Sequence, residues 1–401
     1  LNDGGETATI SPDSTGHTPS FGLAQGTHTW TVTAYDSANN EIETSNPQSI
    51  QVDHTPPGIT HNPVVEATEN SAVVINAVFT EDGSDQSGIA TAELYYRKGG
   101  EANWQPPIDM TTLNTYQIAS SFSTSVGLEY YLHAVDVAGN VTDKPVEGFT
   151  SISVTITGGL ASTDRWPTGI PNGTEVSSYQ LWSFPGNPAS SSPVDFLVDD
   201  LGDYDNTVWR LFAYGGGGAW TEFESLSQLN NGESYFIIVK DAGFSINTGQ
   251  IYTIATNQPF EINLTSGDWT FVGNPFDFTI PLTGLYTTDS TSLSGDQNFY
   301  TYDGSWINAS SLEPWKGYIY KNPSASKLYI NPSGDSGGML GRQLADEIII
   351  ENDENEWLVN ISARNGLGRD NFNEVGLLVD AVDTYDNHDA FEPPLVPGGI
   401  S

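Results

Sequence analysis

Apolar and polar residues alternate with period two in run after run of this chain. Trp30, Val32 and Ala34 share one face of the stretch His28 to Asp36. Ala72 to Phe79, Ala92 to Arg97, Gly127 to Asp136 and Ser151 to Ile156 are further short apolar runs bounded by Gly, Asn, Asp and Pro. Period two places alternate side chains on opposite faces of a strand, and no helical spacing competes with it in these runs. Strands of this length and spacing predict β-sandwich packing.

One pattern occurs twice. Trp182-Ser183-Phe184-Pro185-Gly186-Asn187-Pro188 is answered by Trp269-Thr270-Phe271-Val272-Gly273-Asn274-Pro275. Phe212-Ala213-Tyr214 with Trp220 is answered by Tyr300-Thr301-Tyr302 with Trp306, and Gly232 to Ile237 by Trp315 to Tyr320. The offset falls from 87 residues at the tryptophans to 84 at Ser245 and Tyr329, as happens when loops shorten and strands do not. This predicts a duplicated β unit with its aromatics in the core. Gly-Asn-Pro ends each strand in a tight turn, because the residue before proline is held extended.

The fold expected is therefore all-β: tandem β-sandwich domains with an internally duplicated β module. The expected boundaries are 1–54, 55–157, 158–337 and 338–401, with halves of the duplicated module near 176–250 and 263–334. His54-Thr55-Pro56-Pro57-Gly58 is a stiff linker, since consecutive prolines stay extended. Residues 158–175 read as linker-like. Glu347 to Glu351 and Glu356 to Ala363 are expected to form a hairpin around the acidic turn Asn352 to Asn355. The first domain lacks opening strands and the last lacks an end, so a fragment of a longer protein is expected.

Thr33-Ala34-Tyr35-Asp36, Leu132-His133-Ala134-Val135-Asp136 with Ala138-Gly139-Asn140, and the Thr55-Pro56-Pro57 boundary resemble bacterial immunoglobulin-like and fibronectin-III-like modules. Trp182 to Pro188, Asp199 to Gly202, Trp209 to Phe212, Gly232 with Tyr235-Phe236, and Gly273 to Phe276 resemble a second module. That module stands between adhesive repeats and the sorting region of large secreted proteins of Bacteroidetes and their relatives, which use type IX secretion. The second resemblance covers about 40% of the chain. Together the resemblances imply an extracellular or cell-surface location and a spacer, stalk or adhesive role, with no enzymatic activity. The alternative is an accessory or carbohydrate-binding region of a secreted hydrolase whose catalytic domain lies elsewhere.

Charge narrows the partners. Lys and Arg number 12 against 51 Asp and Glu, a formal net charge of −39, and no Lys or Arg precedes Arg97. Such a field repels nucleic acid and anionic lipid, and it suits divalent cations. No apolar run is long enough to span a membrane. With 17 Phe, 10 Trp and 18 Tyr the chain has ample apolar bulk for cores, so it is not a disordered acidic polymer. Cysteine is absent, which suits a secreted protein stiffened by metal ions or domain stacking and is equally compatible with a cytosolic one.

Asp199, Asp200, Asp203 and Asp205 crowd one segment, and Asp380, Asp383, Asp386 and Asp389 recur at three-residue steps in another. Loops of this kind supply the oxygen ligands Ca²⁺ requires, and they also occur as plain solvated acidic loops. Asp36 with Asn40 and Asp136 with Asn140 read as Asx-turns, with Ca²⁺ between modules as the other reading. Trp166, Trp220 and Trp306 are candidate stacking faces for a polysaccharide partner. A protein surface partner, and self-association through unpaired edge strands, are the other expectations.

Gly334-Asp335-Ser336-Gly337-Gly338 matches the nucleophile sequence of chymotrypsin-like proteases. That chemistry needs a histidine base, and none of His17, His28, His54, His61, His133 and His388 lies in the duplicated unit. Acidic pairs that a glycosidase would need exist in any chain this acidic and point nowhere in particular. No catalytic residue is assigned.

Overall fold

The structure is a computed structural model. It describes residues 7–11, 16–18, 22–81, 83, 85–288, 293, 298–321, 325–332 and 393–400 in full, and the backbone of 357–365 and 368–377. It is an all-β, multi-sheet chain.

The first module contributes β1 (Gly26–Trp30), β2 (Thr33–Tyr35), β3 (Glu41–Thr44) and β4 (Gln48–Val52). Among the described residues they pair only as β1 with β4 and β2 with β3. Among the described residues no second layer covers them, and Trp30, Val32, Tyr35, Ile42 and Ile50 are exposed.

The second module contributes β5 (Gly58–His61), β6 (Glu66–Thr68), β7 (Val73–Thr80), β8 (Ile89–Lys98), β9 (Ile108–Asp109), β10 (Thr115–Ile118), β11 (Leu128–Asp136), β12 (Val141–Lys144) and β13 (Thr150–Ile156). One sheet runs β10-β7-β5. The facing one runs β13-β11-β8-β9, with β12 on β11 and β6 parallel to β13. The alternation read from the sequence becomes packing here. Val73, Ile75 and Ala77 of β7 point inward with Leu94 and Tyr96 of β8 and Leu128, Tyr130 and Leu132 of β11.

The duplicated unit begins with β14 (Gln180–Trp182), β15 (Asn187–Pro188), α1 (Pro193–Leu201), β16 (Trp209–Gly216), β17 (Ala219–Glu222), β18 (Tyr235–Val239) and β19 (Ile251–Tyr252). It continues with β20 (Phe260–Asn263), β21 (Thr270–Gly273), β22 (Ile280–Pro281), β23 (Leu285–Thr287), β24 (Phe299–Tyr302), β25 (Trp306–Asn308), β26 (Ser311–Leu312), β27 (Gly317–Tyr320) and β28 (Lys327–Ile330). The two central sheets have the same order, β14-β18-β16-β17 and β21-β27-β24-β25.

These two sheets stack on each other, which explains why β18 and β27 are apolar throughout rather than alternating. Tyr235, Ile237 and Val239 face the core of the first half, while Phe236 and Ile238 face the second. Tyr318 and Tyr320 face the core of the second half, while Ile319 faces the first. The halves also interpenetrate. Trp315 is fully buried among the first half's Trp182, Trp209 and Phe196. It carries φ 66°, a left-handed conformation costly for a bulky side chain and sustained here by burial. Arg165 Nη1 donates to the Trp315 carbonyl at 2.8 Å and to the Leu181 carbonyl at 3.0 Å, tying both halves to the preceding segment.

Two expectations are corrected. Residues 158–175 are packed, with Trp166 and Ile170 buried in the first half's core. Asp199 and Asp200 lie on α1, the one α-helix among the described residues, not in a loop between strands. Ser192 caps that helix by accepting from Asp195 N, and Pro193 occupies its first turn, where no N–H is missed. Pro193, Phe196, Leu197 and Leu201, spaced as one helical face, are buried. In the last segment, β29 (Trp357–Asn365) pairs forward with β30 (Gly368–Leu377), with Asn365 opposite Gly368. Residues 347–355 lie outside the described residues.

Candidate metal centre at the first module junction

Three strand ends converge where the first module meets the second. Asp53 follows β4, Glu81 follows β7 and Asp136 closes β11. Each offers a carboxylate oxygen, and these atoms lie within 4.8 Å of one another. Asp53 is 7% exposed and Asp136 2%. No Lys or Arg occurs in the first 96 residues to offset them.

Backbone and amide donors hold two of the three acids in place. Asp53 Oδ1 accepts from Thr55 N at 3.0 Å and Gln25 Nε2 at 3.1 Å, and its Oδ2 accepts from Ser87 N at 2.8 Å. The Thr55 N–H, then the Gln25 amide and the Ser87 N–H, hold this carboxyl well below the usual range. Asp136 accepts from Asn140 N and Asn140 Nδ2, both at 2.8 Å, and Asn140 Nδ2 also donates to the Asp53 carbonyl at 3.0 Å.

Glu81 differs. Its Oε2 accepts from Gly88 N at 3.2 Å, while its Oε1 is buried without a hydrogen-bond partner. Burial, with the charges of Asp136 and Asp53, pushes its carboxyl up. An unpartnered buried oxygen facing two other acids is costly unless a proton or a cation sits there. The donor set is all oxygen, which suits Ca²⁺ rather than a thiophilic or imidazole-seeking metal.

The Asx-turn expected at Asp36 is present. Asp36 Oδ1 accepts from Asn40 N at 2.8 Å and Ala38 N at 2.9 Å, and Asn40 Nδ2 donates to Asp36 Oδ2 at 2.9 Å. The turn at Asp136 repeats the two Asn140 bonds, but Ala138 N donates to Ser87 Oγ at 3.1 Å instead, and the neighbouring module's Asp53 together with Glu81 makes the site a cluster. The sequence reading named Asp136 with its metal alternative but missed Asp53 and Glu81. Their only signal was position, as acids directly after strands that end at a module boundary.

The other candidate residues are dispersed. Asp200, on α1, accepts from Asn247 N at 2.5 Å, and burial raises its pKa. Asp205 accepts from Thr207 N at 2.8 Å and Thr207 Oγ1 at 2.7 Å, which lowers its pKa. Asp199 and Asp203 point to solvent. Asp380, Asp383, Asp386 and Asp389 lie outside the described residues, as does Gly334 to Gly338. Trp166, expected as an exposed sugar platform, is only 8% exposed beneath the Arg165 guanidinium. Trp220 and Trp306 are half-buried and set edge-on to Phe236 at 5.5 and 5.8 Å, one from each half. They seal the seam between the stacked sheets instead of forming a coplanar face.

A cavity of about 410 Å³ lies beside that seam, lined by Tyr214, Glu233, Phe260, Glu261 and Trp269 among others. Its two acids are engaged. Glu261 pairs with Lys327 Nζ at 2.5 Å, and Glu233 accepts from the Tyr235 hydroxyl at 3.0 Å.

No family model matches the chain, and no curated protein matches it. Among solved structures, an Escherichia coli alpha-2-macroglobulin activated by porcine elastase aligns at 10% identity and TM-score 0.20, over 62% of this chain and 27% of that one. A Salmonella alpha-2-macroglobulin reacted with methylamine aligns at 10% identity and TM-score 0.19, over 78% and 25%. The chain thus spans about a quarter of the length of these structures, and similarity this low carries no argument about fold or function. No helix among the described residues is long and apolar enough to cross a membrane.

Proposed function

We propose that this chain is a non-catalytic, structural and adhesive stalk segment of a large secreted or cell-surface bacterial protein, presenting a surface to a polysaccharide or protein partner. One observation carries the reading. The sheet of the second module does not stop at the module's edge. Its β13 pairs with β19 of the duplicated unit, and β19 pairs in turn with β15, the Asn187–Pro188 strand of the first repeated turn. Force along the chain then passes through lateral backbone hydrogen bonds rather than a free linker.

The first junction is proposed to gain stiffness from Ca²⁺ held by Asp53, Glu81 and Asp136. The ion would cross-link strand ends of two modules that also share polar contacts, such as Gln51 Nε2 to the Gln86 carbonyl at 2.9 Å.

Single-molecule pulling tests the stalk reading. Residues 55 to 332 are expected to resist as one cooperative block, and separate low-force unfolding of the second module would overturn it. Turnover of a polysaccharide or peptide substrate by the isolated chain would favour an active hydrolase region. Binding of a glycan without turnover, centred on the cavity beside Trp269, would favour the accessory carbohydrate-binding alternative.

A further inference from the structure

Residues 393–400 return to the duplicated unit in an extended run and seat themselves in a groove on its first half. Four hydrogen bonds read their backbone. Ile400 N donates to the Thr174 carbonyl at 3.0 Å, and the Tyr179 hydroxyl donates to the Gly398 carbonyl at 2.8 Å. Arg210 Nη1 donates to the carbonyls of Gly398 and Gly399, both at 3.0 Å.

Contacts within the first half hold the groove's key donor in place. Arg210 is clamped by Glu222 through Nε at 2.7 Å and Nη2 at 3.2 Å, which leaves Nη1 aimed at the peptide. Its guanidinium lies over the Phe212 ring at 4.7 Å. A bidentate pair of this kind is pre-organised, so little rotamer entropy is lost on engaging a carbonyl. Side-chain selectivity comes from two positions. A Cβ on Gly399 would lie 2.4 Å from the Thr174 carbonyl oxygen, so only glycine fits there. Ile400 is 8% exposed inside the seam cluster of Tyr179, Phe212 and Phe236, with Val396 packed beside it.

We propose that this groove is a peptide-recognition site for an extended Val-Pro-Gly-Gly-Ile segment, occupied by the chain's own residues 396–400. The mode is recognition of the peptide backbone by one backbone carbonyl and the Tyr179 and Arg210 side chains, with one glycine filter and one apolar pocket. The segment connecting Ile330 to Pro393 is long enough that docking is a binding event rather than a consequence of local chain geometry.

The test uses the full chain carrying Gly399→Val, which expels its own segment, and a fluorescent peptide of residues 393–401. The peptide is expected to bind the variant saturably and the wild-type chain at least tenfold more weakly, because the wild-type groove is already filled. A Gly399→Val peptide should not bind. Adding Tyr179→Phe, which removes one hydroxyl from an intact ring, should weaken binding about fivefold or more without unfolding the unit. Failure of the peptide to bind the Gly399→Val chain, equal binding to both chains, or undiminished protease protection of residues 393–400 in that variant would each overturn the proposal.

Discussion

Thr253 is stitched to Val154 across the boundary between the second module and the duplicated unit. Its hydroxyl accepts from Val154 N at 2.8 Å, and its own N–H donates to the Val154 carbonyl at 3.0 Å. Ser153 Oγ donates to the Thr253 carbonyl at 2.7 Å, and the Ser151 and Thr256 hydroxyls meet at 3.2 Å. These contacts extend the β13–β19 pairing into a polar seam in which Ser151, Thr253 and Thr256 are buried.

Thr253→Val keeps the shape and removes the hydroxyl, leaving the buried Val154 N–H unpaired. The expected cost is about 1–3 kcal/mol. The informative readout is urea unfolding followed separately by probes in each domain. The variant should split one coincident transition into two, and a uniform shift with the transitions still coincident would show that this hydroxyl does not couple the domains.

Between the repeated halves, backbone approach is what forbids substitution. A Cβ on Gly273 would lie 2.4 Å from the Glu233 carbonyl oxygen and 2.6 Å from Ser183 Cβ. One on Gly317 would lie 2.7 Å from Ser234 Cβ and 2.8 Å from Leu181 Cγ. Gly273→Ala and Gly317→Ala should each cost on the order of 3 kcal/mol, at the upper end for overpacking because backbone cannot yield. Gly215→Ala, whose Cβ would meet nothing nearer than 3.5 Å, is the control and should be nearly neutral in thermal unfolding.

The duplication could be read from sequence because both sheets are buried on both faces, so their strands keep their aromatics. The helix could not, because its apolar face is only Pro193, Phe196, Leu197 and Leu201, and the acids at 199 and 200 dominate the local composition. The cluster of Asp53, Glu81 and Asp136 escaped for a different reason. Its members are far apart in sequence, and only the closing of strand ends across a module boundary brings them together. The acids that do crowd one segment, at 199 to 205, are instead dispersed: Asp199 and Asp203 face solvent, Asp200 binds the Asn247 N–H and Asp205 the Thr207 turn.

Calcium should raise the melting temperature, and EDTA should lower it by several degrees. Ligand at a hundredfold excess over Kd stabilises by about 2.7 kcal/mol. Glu81→Gln and Asp136→Asn should each abolish most of that response while leaving the far-ultraviolet spectrum unchanged. Asp203→Asn, a solvent-facing change, should leave it intact. An unchanged melting temperature across EDTA and millimolar Ca²⁺ would remove the metal from the junction.

Asp277 makes the seam sensitive to pH. Burial pushes its carboxyl from 3.8 up to about 6, against a hydrogen bond from Ser125 and with a further push from Asp164. It therefore sits where the second module, the first half and the second half meet. A raised folded-state pKa means the native protein holds this proton more tightly than the unfolded chain does. The group's favourable contribution is complete near pH 3.8 and below, and is lost as pH rises to about 6 and beyond. With the side chain partly open to solvent, the loss at neutral pH is about 1–2 kcal/mol rather than the full electrostatic value. Asp277→Asn should recover it, raising stability at pH 7.5 while changing little at pH 4. Urea titrations of both proteins across that range give the difference directly. A variant less stable than wild type at pH 7.5 would mean that the ionised carboxylate makes a favourable contact at this three-way seam.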